Sequence, residues 1–171
     1  MDLRRTLLAP LVTMAIAVPG AAQAATAQPY DSAWLQHSIA GDRFEIQAAK
    51  LAVKRSRNGH LGALAGRLLS DHTKSLRQAT ALARRLGVPV APSPTPEMTA
   101  VLQMLRVVPQ RSFGRAYASL AAGGHNQAIV EAGMEVKNGQ TKEVQAFADR
   151  ESTLLAKHLR LARTVLKALV G

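Results

Sequence analysis

The chain has 171 residues, 22 Lys and Arg against 11 Asp and Glu, and no cysteine. That length suits one domain with a sizeable core, and the missing cysteines exclude disulfides, thiolate metal sites and thiol catalysis. A net charge of +11 draws anions to the surface, while an aromatic content of 4% leaves few stacking platforms for single-stranded nucleic acid.

The first residues read as a secretory signal peptide. Arg4 and Arg5 form a basic start, Leu7 to Val18 is a short apolar stretch, and Ala22-Gln23-Ala24 is a small-x-small cleavage site. Residues 1–24 are therefore expected to be removed, with 27 as the alternative end. The twin arginine lacks the rest of a Tat pattern, and no Cys follows the apolar stretch, so Sec export without a lipid anchor is expected. The chain is expected in the periplasm or medium, with no transmembrane segment after cleavage. Residues 25–171 then form a single domain.

A first long helix is expected from about Asp31 to Arg57, with Asp31 or Ser32 as N-cap. Asn58-Gly59 reads as a turn and C-cap. A second helix from about His60 to Leu86 carries Leu61, Ala65, Leu68, His72, Ser75, Ala79 and Leu82 on one face. Gly87 and Pro89 stop it. Pro89, Pro92, Pro94 and Pro96 keep the next stretch extended, and Thr95-Pro96 opens a short helix that Pro109 ends. A third long helix follows from about Ser112 to Lys137, closed by Asn138-Gly139. A fourth, from about Thr141 to Leu169, is expected to bury Val144, Ala148, Glu151, Leu155, His158, Ala162, Val165 and Leu169. A connection of about 25 residues between the second and third long helices is far longer than a hairpin needs. The pattern predicts an all-α, four-helix, ferritin-like bundle: two helical hairpins joined by a Pro-rich crossover with a short helix.

Ionisable side chains interrupt the apolar face of each long helix: Glu45, His72, His125, and Glu151 with His158. Bare carboxylates and imidazoles in a core are costly unless paired or bound to metal. Counted from the two Asn-Gly turns at 1.5 Å per residue, Glu45, His72, His125 and Glu151 all lie about 20 Å deep, hence near one level. His158 lies about 10 Å farther along the last helix, as a second layer or as the true ligand if that helix is shifted. Small residues surround the group: Gly41, Ala48, Ala49 and Ala52 beside Glu45; Ala118, Ala121, Ala128 and Ala132 beside His125. A divalent transition metal such as Zn, Fe, Mn, Ni or Cu suits these donors. So does a hydrogen-bonded polar layer with no ion. The diiron Glu-x-x-His pattern is absent, because Leu69 and Leu155 stand three residues before His72 and His158. Asp71 is expected to face outward in an ion pair with Arg67 or Lys74, and His37 and His60 are expected in solvent.

The ordered pieces Asp31-Ser32-Ala33-Trp34-Leu35, Gly41, Glu45, Leu51-Ala52, Asp71-His72-Thr73, Leu86-Gly87, Phe113, Arg115-Ala116-Tyr117, His125, Phe147-Ala148 and His158-Leu159 resemble the bacterial "domain of unknown function 4142" family. The resemblance spans roughly Asp31 to Leu166. It implies an exported, ferritin-like bundle with His72, His125 and His158 as characteristic histidines, and no established activity. Gly114 stands where the family usually has an Asp. The leading expectation is a non-enzymatic envelope protein with a mid-bundle metal site. The alternatives are a metal-dependent oxidative-stress enzyme and a basic module that binds anionic envelope components.

Overall fold

The computed structural model describes residues 26–169, which are all helix and connection, with no strand among the described residues. The expected signal peptide lies outside them. Five helices follow in order: α1 (Pro29–Arg55), α2 (Gly59–Arg85), α3 (Pro96–Val107), α4 (Gln110–Asn138) and α5 (Lys142–Ala168). None is long and apolar enough to cross a membrane.

The closest packing is α1 on α2 and α4 on α5, each pair joined by a short turn. The ends of these pairs fix the direction of every helix. At one end Arg55 of α1 donates to the carbonyls of Leu105, Arg106 and Val108, just ahead of α4. At the other, Asp31 of α1 accepts from the backbone N–H groups of Gln140 and Thr141, where α4 turns into α5. Helix α4 therefore begins where α1 ends and runs parallel to α2. The segment from Pro89 through α3 must travel the length of the bundle to allow this.

Several local signals act differently from the expectation. Asn58 caps the N-terminus of α2, accepting from His60 N and Leu61 N, while α1 ends at Ser56 in extended backbone. Asp31 does not cap its own helix. It is fully buried and serves α5, whose own N-cap residue Thr141 makes no side-chain cap bond. Gly139 has φ −61°, so it is not needed for a left-handed turn. It is needed for room: a Cβ there would stand 2.4 Å from Glu135 Oε1 and 2.7 Å from Asp31 Oδ1. Gly87 does take the left-handed form, with φ 68°. Thr95 caps α3 through Met98 N, with Pro96 at its first position, as expected.

The apolar core comes in two parts. One gathers Ala48, Ala49, Ala52, Leu61, Leu64, Leu68, Phe113, Tyr117 and Val165. The other gathers Leu35, Ile39, Ala79, Leu82, Leu86, Val144 and Phe147. On α1 the residues between them are Asp42 and Glu45; on α2, Asp71, His72 and Ser75; on α5, Glu151 and His158. The core is thus split by a polar layer at mid-height.

Candidate metal centre

Three imidazoles from three helices meet in that layer. His72, His125 and His158 are 3%, 1% and 0% exposed. His72 Nε2 lies 3.3 Å from His125 Nε2, which lies 3.2 Å from His158 Nδ1. One nitrogen from each ring falls within 4.8 Å of the other two. The rings tilt edge to face, with centroids 5.1–5.4 Å apart.

The outer nitrogen of each ring is committed elsewhere. His72 Nδ1 faces Asp42 Oδ1 at 2.8 Å, His125 Nδ1 the carbonyl of Ala121 at 2.6 Å, and His158 Nε2 faces Asp71 Oδ2 at 3.0 Å. The Ala121 carbonyl only accepts, so His125 Nδ1 must donate. Asp71 is ionised: burial would raise its pKa, but the bonds from His158 and Arg67 outweigh that and hold it below the usual carboxylate value. It too only accepts, so His158 Nε2 carries the proton. When both rings are neutral, no proton then lies between His125 Nε2 and His158 Nδ1, and the one donor left to His125 Nε2 is His72 Nε2, when a protonated Asp42 donates to the other side of that ring. Burial opposes the escape through an imidazolium. It lowers the pKa of both His72 and His158 to about 4, against partial compensation by Glu45 for His72 and by Asp71 for His158. A tetrahedral site with metal–nitrogen bonds of ~2.0–2.1 Å separates neighbouring ligand nitrogens by ~3.3–3.4 Å. Two of the three spacings, 3.3 and 3.2 Å, match that separation, and the third falls within 4.8 Å.

The other candidates lie beside this cluster. Glu45 Oε1 approaches His125 from its outer side, 4.0 Å from Nδ1. Glu151 accepts from Ser75 Oγ at 3.0 Å, and burial, with Asp42 nearby, pushes its carboxyl up to about 7. Counted by Cα position from the turn, Glu151 and not His158 is level with His125. Side chains lean toward the N-terminus of their own helix. In the antiparallel pair α4 and α5, His125 therefore leans away from the connecting turn and His158 toward it, and the two rings converge. Asp71 is not the outward residue expected. It keeps the ion pair with Arg67 but is buried against His158. His37 and His60 are exposed as expected, His37 within 3.6 Å of Glu131.

Asp42 escaped notice in the sequence, although it continues the buried stripe of Leu35 and Ile39 at helical spacing. Burial pushes its carboxyl up to about 8, and Oδ2 has no hydrogen-bond partner. A cavity of about 260 Å³ opens between α1 and α4 and reaches this layer. Its walls include Trp34, Phe44 and Met98, with His37 and Glu131 toward the surface and Glu45, His72 and His125 within. His158 does not line it.

Fold and layer together define a class: an all-helical bundle with a buried three-histidine cluster, two of whose rings are held by carboxyl groups. The chain belongs to the domain of unknown function 4142 family, whose profile matches residues 17–165. Its fold is also similar to the crystal structure of a DUF305 fragment from Deinococcus radiodurans. That likeness has a TM-score of 0.75 and 20% identity, and covers 84% of this chain and 99% of the fragment. At that identity it concerns the fold alone. No curated protein matches the sequence.

Proposed function

We propose that the chain is an exported metal-binding protein of the bacterial envelope. Its ligands are His72 Nε2, His125 Nε2 and His158 Nδ1, on a ferritin-like arrangement of the four long helices. The observation that carries this reading is the His125–His158 contact: 3.2 Å between two nitrogens whose rings both donate from the opposite side. A divalent cation turns that repulsion into shared coordination. Neutral imidazoles favour Zn, Cu or Ni over the harder Mg and Ca. Asp42, Asp71 and the Ala121 carbonyl would orient the ligands, as outer partners do around metal-bound histidines.

A second reading, a metal-dependent enzyme, draws support from the cavity. It reaches two of the three histidines, and an ion with three protein ligands keeps a position free for water or substrate. Bound metal would supply Lewis acidity there, or electron transfer if it is redox-active, as an oxidative-stress enzyme would need. Glu45 stands in the same cavity wall, placed to exchange a proton with a ligand in it.

The deciding experiment is elemental analysis of untagged protein purified from the exported fraction. One transition-metal ion per chain, lost in His158→Ala, is the expected result. Metal-free wild type that also takes up no Zn, Cu or Ni on dialysis defeats the reading and leaves a hydrogen-bonded polar layer. Protein retained in the cytoplasm with residues 1–24 intact defeats the export part alone.

A further inference from the structure

The end of the bundle where α1 gives way to α2 and α4 begins holds a second cavity, of about 480 Å³. Its lining includes Arg55, Arg57, Arg111 and Arg115, and no Asp or Glu. The ion pairs among the described residues use the carboxyl groups of Asp42, Glu45, Asp71 and Glu131, and none involves these arginines. Four guanidinium groups therefore share one concavity with no carboxylate among the described residues of its wall. Arginine does not lose its charge, so this repulsion persists at every physiological pH.

The arrangement is partly rigid. Arg55 is spread over three carbonyl oxygens at the end of α3 and lies 4.1 Å from the centre of the Phe113 ring. Carbonyl dipoles fix its position and leave its full positive charge in place. Arg57, Arg111 and Arg115 are exposed. Arg111 and Arg115 stand four apart on α4, so they are neighbours on one face, a spacing at which like charges repel. The start of α4 adds to the same potential. Its N-cap is Pro109, which has no side-chain acceptor, and its first turn holds no acidic residue. The leading N–H groups, apart from that of Ser112, which bonds to the Pro109 carbonyl, carry the positive end of the dipole of a 29-residue helix, while the C-terminal end of α5 at Leu169 brings the opposite sign to the same wall. Leu61, Phe113 and Leu169 give the cavity an apolar wall beside its cations.

We propose that this end cavity binds a phosphate-bearing anion, with Arg111 and Arg115 as its principal ligands and Arg57 assisting. Planar guanidinium forks match phosphate oxygens in pairs. Several cations with no carboxylate partner among the described residues favour a ligand with more than one negative charge. A free phosphate compound and a phospholipid headgroup offer the same chemistry, and the apolar wall can lie against the acyl-bearing part of the latter. The site is separate from the histidine layer and does not depend on metal.

The test uses the full mature chain and two probes: inorganic pyrophosphate by calorimetry, and vesicles of phosphatidylglycerol in phosphatidylcholine by co-sedimentation. Arg111→Ala/Arg115→Ala is compared with Arg84→Ala/Arg85→Ala, which removes the same charge from exposed positions at the far end of α2. At least one probe should bind wild type, and the α4 pair should lower its affinity by about tenfold or more, roughly one strong charge-assisted contact. The α2 pair should change it much less. Binding of pyrophosphate alone identifies a free phosphate ligand; binding of vesicles alone identifies a lipid headgroup. If the double alanine variant loses helix by circular dichroism, Arg111→Gln carries the same comparison. Failure of both probes to bind overturns the proposal. So does an equal loss in the two double variants, which would mark a diffuse effect of net charge.

Discussion

His125 and His158 face each other through nitrogens 3.2 Å apart, and each ring hands its one proton to an acceptor on the opposite side. Two neutral imidazoles so oriented have nothing to share. The carboxylate of Asp71 and the carbonyl of Ala121 thus control a contact that neither of them touches.

That control predicts the effect of Asp71→Asn. The amide can still accept from His158 Nε2, but it loses the negative charge that fixes the tautomer. Removing such outer partners typically weakens metal affinity ~10–100-fold. Competition with a chromophoric chelator measures it. Retention of wild-type affinity would separate Asp71 from the site. His37→Ala, out in solvent, should leave affinity unchanged.

Metal that binds only the folded state should raise the melting temperature, by a free energy of about 2.7 kcal/mol at one hundred times Kd. His125→Ala and His158→Ala should each abolish the shift. Burial holds His72 and His158 down at about 4, so these two ligands stay unprotonated to about pH 5, and a shift that depends on them should persist below the range where ordinary imidazoles near 6.5 protonate. Thermal-shift series at pH 7, 6 and 5 check this, and a shift already lost at pH 6 contradicts it.

Without metal, two sets of groups act in opposite directions. His72 and His158 have folded pKa values depressed from 6.5 to about 4, so the unfolded chain binds more protons in that window. Their contribution is complete above 6.5 and is lost as pH falls toward 4. Glu135 and Glu151 are raised to about 7 and Asp42 to about 8, chiefly by burial. There the folded chain binds more protons, and stability is lost as pH rises through those values. Of these groups only the carboxyls titrate between pH 6.5 and 8, so stability of the metal-free protein should fall across that interval. Urea unfolding at pH 6.5, 7.2 and 8 measures it, and Glu151→Gln should flatten the slope.

Packing supplies a contrast. Leu68 is fully buried, and Leu68→Ala should cost about 2–5 kcal/mol. Val107 is 81% exposed, and Val107→Ala should stay within about 0.5 kcal/mol. Gly139→Ala should cost roughly 1–3 kcal/mol through crowding of Glu135 and Asp31, although its backbone angles suit alanine. Denaturant midpoints of the three variants give the comparison.

The helices and most of their ends were legible in the sequence because periodic apolar stripes and Gly/Pro stops are local signals. The histidines were legible for the same reason: His72 and His158 sit in stripes otherwise made of Leu, Ala and Val. That the His158 ring, rather than the Glu151 carboxyl, meets the other two imidazoles was not, because it depends on side-chain lean across an antiparallel pair. Asp71 was misread because Arg67, four residues earlier, offers a sufficient local partner; its burial against α5 is set 87 positions away. Asp31 was misread likewise, since Asp at a helix start is an ordinary cap signal and nothing nearby points to Thr141.

The Asp31 bond has a kinetic consequence. Its two partners are separated by 110 positions, whereas each hairpin can zip from its own short turn. Closing so long a loop belongs late in folding, after the hairpins have formed. A contact absent from the transition state acts on the unfolding rate and leaves the refolding rate nearly unchanged. Asp31 is therefore a lock on lifetime: in stopped-flow chevrons, Asp31→Ala should shift the unfolding arm while the refolding arm overlays that of the parent chain.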